Sequence, residues 1–189
     1  VRSLSIVVSA PSGAGKTTLC ERLLHDYQNI VYSVSCTTRV RRKSEKEGRD
    51  YYFITDETFK EHVENNAFIE YANVHGYFYG TLKSTINKLL KKGKSILMDI
   101  DIKGASQIRA VMDKLPEGSP MKEGFVDIFI EPPSLDVLRE RLVRRGEDSL
   151  YDIDRRIKNA KHEMNYKDVY RHCLVNQNID ETYDALRDI

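Results

Sequence analysis

Ala10-Pro11-Ser12-Gly13-Ala14-Gly15-Lys16-Thr17-Thr18 is the stretch on which the reading of this chain turns. It follows an apolar run, Leu4–Ser9, and leads into a helical pattern from Gly15 to Tyr27 with Leu19, Leu23 and Leu24 on one face. A strand, a glycine-rich turn and a helix N-terminus together make an anion cradle. Backbone N–H groups converge there, and the helix dipole adds positive potential. Gly13 and Gly15 permit backbone conformations closed to other residues and let a phosphate approach closely. Lys16 is placed to reach the β- and γ-phosphates of a triphosphate, and the Thr17 hydroxyl to ligate Mg²⁺. The strict phosphate-loop pattern begins with Gly; this chain has Ala10 there.

Outward from this loop, apolar runs alternate with helical patterns. Ser95–Ile100 and Phe125–Ile130 read as further buried strands, with a short one at Cys173–Val175. Helices are expected from about Gly104 to Lys114, from Ser134 to Arg144, from a capping box at Ser149–Asp152 to Tyr166, and from Asp180 onward. This rhythm implies an α/β fold with a parallel sheet flanked by helices. Residues 33–80 interrupt it, being strand-rich, tyrosine-rich and polar, as an inserted lobe is. Within and around that stretch, Val31–Thr37 and Asp50–Ile54 read as strands, and Asp56 as the cap of a helix carrying Phe59, His62 and Val63. Ala67–Val74 and Gly76–Tyr79 read as a strand pair around His75-Gly76. A helix from Thr81 to Lys91 follows, and Leu115–Gly124 reads as an exposed loop. Asp99, closing its strand, is a candidate for holding Mg²⁺, directly or through water, or for a substrate role.

Composition excludes several classes. A net charge of +1 over 189 residues offers no broad electrostatic surface for nucleic acid. No apolar run is long enough to cross a bilayer, and Leu4–Val8 is too short for a signal segment. Cys20, Cys36 and Cys173 are odd in number and without C-x-x-C spacing, which argues against disulfides or zinc and fits a cytoplasmic location. They read as small core residues. The five histidines form no H-E-x-x-H pattern.

Further segments join the phosphate loop in a characteristic order: Ser33-Val34-Ser35-Cys36-Thr37-Thr38-Arg39, Gly48-Arg49-Asp50-Tyr51-Tyr52-Phe53, Phe68-Ile69-Glu70-Tyr71-Ala72, and Tyr77-Phe78-Tyr79-Gly80-Thr81. Asp99-Ile100-Asp101, Pro132-Pro133-Ser134, Arg141-Leu142, Arg145-Gly146 and Val175-Asn176 complete the series. In these the chain resembles the guanylate kinases over nearly its whole length. The resemblance implies a P-loop NTPase-type core (residues 1–32, 81–131 and 167–189), an inserted GMP-binding lobe (33–80) and a helical lid (132–166). It implies ATP-dependent phosphorylation of GMP, and of dGMP, with Mg²⁺, in purine nucleotide metabolism.

Site roles follow the same resemblance. Ser12, Gly13, Ala14, Gly15, Lys16, Thr17, Thr18 and Asn176 correspond to the ATP site, and Thr17 and Asp99 to the metal site. Lys16, Arg141, Arg145 and Arg156 correspond to the catalytic cations. Arg39, Arg42, Tyr51 and Tyr79 match ligands of the GMP phosphate; Ser35, Glu70, Thr81 and Asp101 match the guanine readers; Glu45 belongs to the same acceptor set.

The chemistry agrees with these roles. Arginine forks match phosphate oxygens, and a carboxylate such as Glu70 accepts from both N1–H and the 2-amino group of guanine, a pair that adenine lacks. Arg141 and Arg145, four apart, share a helix face. Partners are then ATP and GMP, with no nucleic acid and no membrane, and the chain acts as a monomer or small homo-oligomer.

The chain departs from the family pattern at Val40-Arg41, where a residue-Pro pair is usual, so that Arg41 and Arg42 compete for one phosphate role. Gln177-Asn178 stands where acidic residues are usual. Three rival readings differ in kind: a kinase for another phosphorylated acceptor, a phosphopeptide-binding module, and a nucleic-acid binder using residues 39–49.

Overall fold

The computed structural model describes residues 3–74, 76–146 and 148–189. β1 (Ser5–Ser9) is buried at every position and passes through the glycine-rich turn into α1 (Lys16–Asp26), which buries Leu19, Cys20 and Leu23. The alternating stretch Val31–Thr37 is not one strand but parts of two, β2 (Ile30–Tyr32) and β3 (Cys36–Thr37), which join different sheets. Alternation reports which face is buried; it does not say against which partner strand. β4 (Tyr52–Phe53) precedes α2 (Asp56–Glu64). The cap of α2 is Thr55, whose hydroxyl accepts from the Thr58 N–H at 3.2 Å. Asp56, expected as the cap, is instead the first helical residue, where its charge meets the positive end of the helix.

β5 (Phe68–Val74) and β6 (Tyr77–Leu82) form an antiparallel hairpin. His75, around which the strand pair was expected, lies outside the described residues. Thr81 and Leu82, expected to open a helix, pair instead with Glu70 and Phe68, so α3 (Lys83–Lys91) begins only after them. β7 (Ser95–Asp99) leads to α4 (Ile102–Lys114). The segment read as an exposed loop holds a short helix, α5 (Pro120–Glu123), started by Pro120 and pinned by buried Met121. β8 (Phe125–Glu131) follows. α6 (Leu135–Arg145) and α7 (Leu150–Met164) start at Ser134 and Ser149, whose hydroxyls accept from the N–H groups of Val137 and Asp152, each at 3.1 Å. A single 3₁₀ turn (Lys167–Val169), β9 (His172–Val175) and α8 (Ile179–Asp188) end the chain.

The larger sheet has five strands in the order β2-β7-β1-β8-β9, parallel and flanked by helices. The smaller sheet has the order β4-β3-β6-β5. The near-continuous burial of β1, β7 and β8 is what a parallel sheet covered on both faces requires. Cys20 and Cys36 are core residues as expected, whereas Cys173 is exposed.

The chain divides into two compact units: Val1–Ser5, Asn29–Met98 and Lys103–Phe125 in one, and Ile6–Gln28, Asp99–Ile102 and Val126–Ile189 in the other. In the first, Cys36, Phe59 and Phe68 form a core with Ile54, Val63 and Leu82 around it. The Phe59 ring stacks on Phe68 at 4.5 Å and on Phe78 at 5.2 Å. In the second, Leu138, Leu142, Ile153 and Ala160 weld α6 to α7. Tyr183 on α8 donates to Asp26 on α1 at 2.6 Å, with the Arg22 guanidinium 4.2 Å from its ring. No helix among the described residues is long and apolar enough to cross a membrane.

Candidate active site

The second unit carries a cavity of about 690 Å³, within the range that holds nucleotides and similar ligands. Its lining includes Ser12, Gly13, Gly15, Lys16, Thr17 and Thr18 from the phosphate loop, with Asp99, Arg141, Arg145 and Glu163. Gly13 and Gly15 have φ of 91° and 95°, a left-handed backbone that favours glycine. Neither has room for a side chain: a Cβ at Gly13 would press on Leu142 and Leu138, and one at Gly15 would overlap the amide nitrogen of Asn176. The Leu19 N–H, bonded to the Gly15 carbonyl at 3.2 Å, is the first in α1 to be satisfied within the helix. The N–H groups of Lys16, Thr17 and Thr18 therefore have no intrahelical acceptor. The Lys16 ammonium is paired with the Asp99 carboxylate.

Two arginines matched to the catalytic cations, Arg141 on α6 and Arg156 on α7, are held by named partners. Arg141 donates to the Asn176 carbonyl at 2.8 Å. Arg156 donates to the Ser12 hydroxyl at 2.7 Å and to Asp148 at 2.9 Å. Asn176, matched to the ATP site in sequence, is only 3% exposed. Its amide donates to the Ala14 carbonyl at 2.7 Å, and its Oδ1 is buried with no hydrogen-bond partner. Asn176 thus supports the phosphate loop from behind. Ala14 is itself buried, and its N–H turns to the Pro11 carbonyl at 3.0 Å.

Glu163 is a residue that sequence reading passed over. Burial pushes its carboxyl above the usual range, with Lys16 opposing and Asp101 adding to the effect. The available signal was helical spacing: Glu163 lies seven residues beyond Arg156 on α7, hence on the same face. Cys20 lies near the same charges. Burial foremost, with Asp99 behind it, pushes its thiol up to about 12, which removes it as a nucleophile.

The first unit gathers most of the residues matched to the acceptor. Arg39 forks onto Glu45, Nη2 to Oε1 at 2.6 Å and Nη1 to Oε2 at 3.2 Å, while its Nε donates to the Tyr79 hydroxyl at 3.3 Å. The Tyr51 ring sits edge-on to Tyr79 at 5.7 Å, and the Arg39 guanidinium lies 5.6 Å from it. The Arg39 side chain first, then the Arg42 N–H, hold the Glu45 carboxyl below its ordinary range. Arg42 enters this cluster through its backbone, donating to Glu45 at 2.8 Å, and is exposed, as is Arg41.

Three of the residues matched to guanine, Ser35, Glu70 and Thr81, are linked to one another. The Thr81 hydroxyl donates to Glu70 at 2.6 Å and lies 3.2 Å from the Ser35 hydroxyl. A register slip in the hairpin sets this up. Phe68 faces Leu82 while Glu70 faces Thr81, so one extra residue on β5 re-aims Glu70 into a position only 7% exposed. Asp101 belongs to the other unit.

Comparison with known proteins agrees with this geometry. The guanylate kinase family profile matches residues 2–189. A guanylate kinase from Ruegeria sp. (strain TM1040) is 41% identical over 188 residues, covering 100% of this chain and 83% of that protein. One from Thermotoga maritima is 38% identical over 180 residues, covering 95% of this chain and 82% of that protein. The crystal structure of guanylate kinase from Anaplasma phagocytophilum superposes with a TM-score of 0.70 at 36% identity, covering 98% of this chain and 83% of that one. With the phosphate loop, the parallel five-stranded sheet and a full-length match all in agreement, this chain belongs to the guanylate kinase family.

Proposed function

We propose that this chain transfers the γ-phosphoryl group of ATP to GMP, forming GDP and ADP, with dGMP as an alternative acceptor. A GMP phosphate oxygen forms the new bond to the γ-phosphorus in line as the bond to the β-bridging oxygen breaks, and the electrons of that bond leave with ADP. No covalent enzyme intermediate is needed, because positioning and electrostatics supply the catalysis. The phosphate loop holds the donor through its N–H groups, and Lys16 exchanges Asp99 for the β- and γ-phosphates. Arg141, Arg145 and Arg156 stabilise charge on the moving group, a role in which one arginine is worth roughly 10³–10⁵ in rate. Asn176 keeps the loop in shape. Residues 33–80 act as the acceptor lobe and 132–166 as the lid.

Thr17 and Asp99 fit Mg²⁺: both line the donor cavity, and a hydroxyl and a carboxylate are the hard oxygen donors it takes, few in number because the ion retains its waters. The ion, when bound, neutralises charge on the β- and γ-phosphates.

One observation carries the choice of acceptor. Glu70 is a buried carboxylate oriented by Thr81, with lone pairs suited to the N1–H and 2-amino group of guanine. Adenine leaves that carboxylate without these donors, a mismatch that sites of this kind reject by roughly 10⁴–10⁵. Arg39, Tyr51 and Tyr79, with Arg42 or Arg41, receive the phosphate, and Glu45 holds the Arg39 fork in plane. Ser35 extends the Thr81–Glu70 chain, and Asp101 is the remaining residue matched to guanine by the family resemblance.

This reading places the chain in cytoplasmic purine nucleotide metabolism, as a monomer or small homo-oligomer without nucleic-acid partners. Steady-state phosphorylation by ATP and Mg²⁺ across all nucleoside monophosphates tests it: GMP and dGMP are turned over and AMP, CMP and UMP are not. Absence of GDP formation from GMP overturns it.

A further inference from the structure

We infer that Asp148 is a positioning residue for phosphoryl transfer, acting through Arg156; the inference rests on the role proposed above for Arg156. Several arginines on α6 and α7 have carboxylate partners, and these differ in kind. Arg139 pairs with Asp154 and Arg155 with Asp152, carboxylates that are 62% and 37% exposed. Such surface pairs contribute little, because water competes for both partners. Asp148 is 11% exposed and meets Arg156 Nη2 at 2.9 Å. The Nη1 of the same guanidinium donates to the Ser12 hydroxyl at 2.7 Å. The planar fork is thereby held at two nitrogens, one by a sheltered carboxylate and one by the phosphate loop itself.

Two fixed contacts define the plane of a guanidinium, which a lysine ammonium at the same place cannot reproduce. Asp148 itself is well anchored. It immediately precedes Ser149, the cap of α7, and α7 is welded to α6 by Leu138, Leu142, Ile153 and Ala160. Asp152, in the first turn of α7, is engaged with Ser149 and Arg155. When phosphate takes the place of the Ser12 hydroxyl as acceptor for Nη1, Asp148 still holds the opposite edge. It sets the direction of the cation without touching the substrate. Removing it leaves Arg156 charged but free to swing, and misplacing a catalytic group by about 1 Å can cost about 10² in rate.

The test is a double-mutant cycle in the intact chain, read as kcat and KM for GMP with ATP and Mg²⁺ saturating. R156A lowers kcat by about 10³-fold or more. D148A lowers kcat by about 10²-fold with KM for GMP within about twofold. D148N, which retains size and one acceptor but not charge, falls between D148A and the unaltered chain and carries the test should D148A fail to fold. The doubly altered R156A/D148A or R156A/D148N chain is no slower than R156A within about threefold, because Asp148 has nothing left to position. If the Asp148 substitutions cost the same factor with or without Arg156, Asp148 acts elsewhere and the inference is overturned. Normal kcat in both Asp148 variants, with R156A impaired, overturns it alone. Full turnover by R156A overturns the reading of Arg156 and the inference with it.

Discussion

The side-chain amide of Asn176 donates to the carbonyl of Ala14 at 2.7 Å, across 162 positions of sequence. The backbone carbonyl of the same asparagine accepts from Arg141 at 2.8 Å. One buried residue therefore supports both the glycine-rich loop and an arginine that lines the same cavity.

Asn176→Asp tests that support. A carboxylate has no N–H to give the Ala14 carbonyl, and leaving a buried acceptor unpaired costs about 1–3 kcal/mol. The expected outcome is a lower melting temperature and a raised KM for ATP, with KM for GMP unchanged. Gly15→Ala should act on the same contact more severely, since its Cβ overlaps the Asn176 amide at a φ of 95°. Unchanged ATP affinity in both variants, measured calorimetrically, rejects the supporting role.

Lys16→Ala removes the cation shared by Asp99 and the phosphates. Turnover is expected to fall by about 10²-fold or more, while circular dichroism and GMP affinity stay as they were. Near-full activity in a folded K16A chain refutes the assignment.

Glu70→Ala and Thr81→Val act on base selection. Glu70→Ala should lower kcat/KM for GMP and shrink the preference for GMP over AMP by at least about 10²-fold. Thr81→Val removes the hydroxyl that donates to Glu70 and should move both quantities the same way by less. A preference for GMP that survives in E70A shows that guanine is read by other groups.

The Arg39–Glu45 pair makes stability depend on pH. Folding depresses the Glu45 carboxyl from an ordinary 4.5. Its contribution is therefore fully present above 4.5 and is lost as pH falls through the lower folded-state value. Glu45→Gln should melt earlier than the unaltered chain at neutral pH, and the gap should close in acid below 4.5. A gap that persists undiminished there rejects the ion pair as its source.

The amino-acid sequence alone determined the phosphate loop, the buried strands and the serine caps of α6 and α7, because each is written in neighbouring residues. Glycines grant the loop its backbone, continuous apolar runs require burial on both faces, and a Ser hydroxyl reaches an N–H three positions on. Periodicity failed where the outcome depends on a partner strand. Val31–Thr37 splits between two sheets, and Thr81 and Leu82 are held in β6 by β5 against the start of a helix.

Within the phosphate loop, the sequence named Lys16 and Thr17 but had no means to show that Asn176 faces the loop's buried side. Nor could it show that Asp148 grips Arg156, or that Glu163 enters the donor cavity. Those pairings are long-range or turn on which way a side chain points once its helix is packed. Such contacts depend on how the surrounding elements close over one another, and no local pattern encodes that.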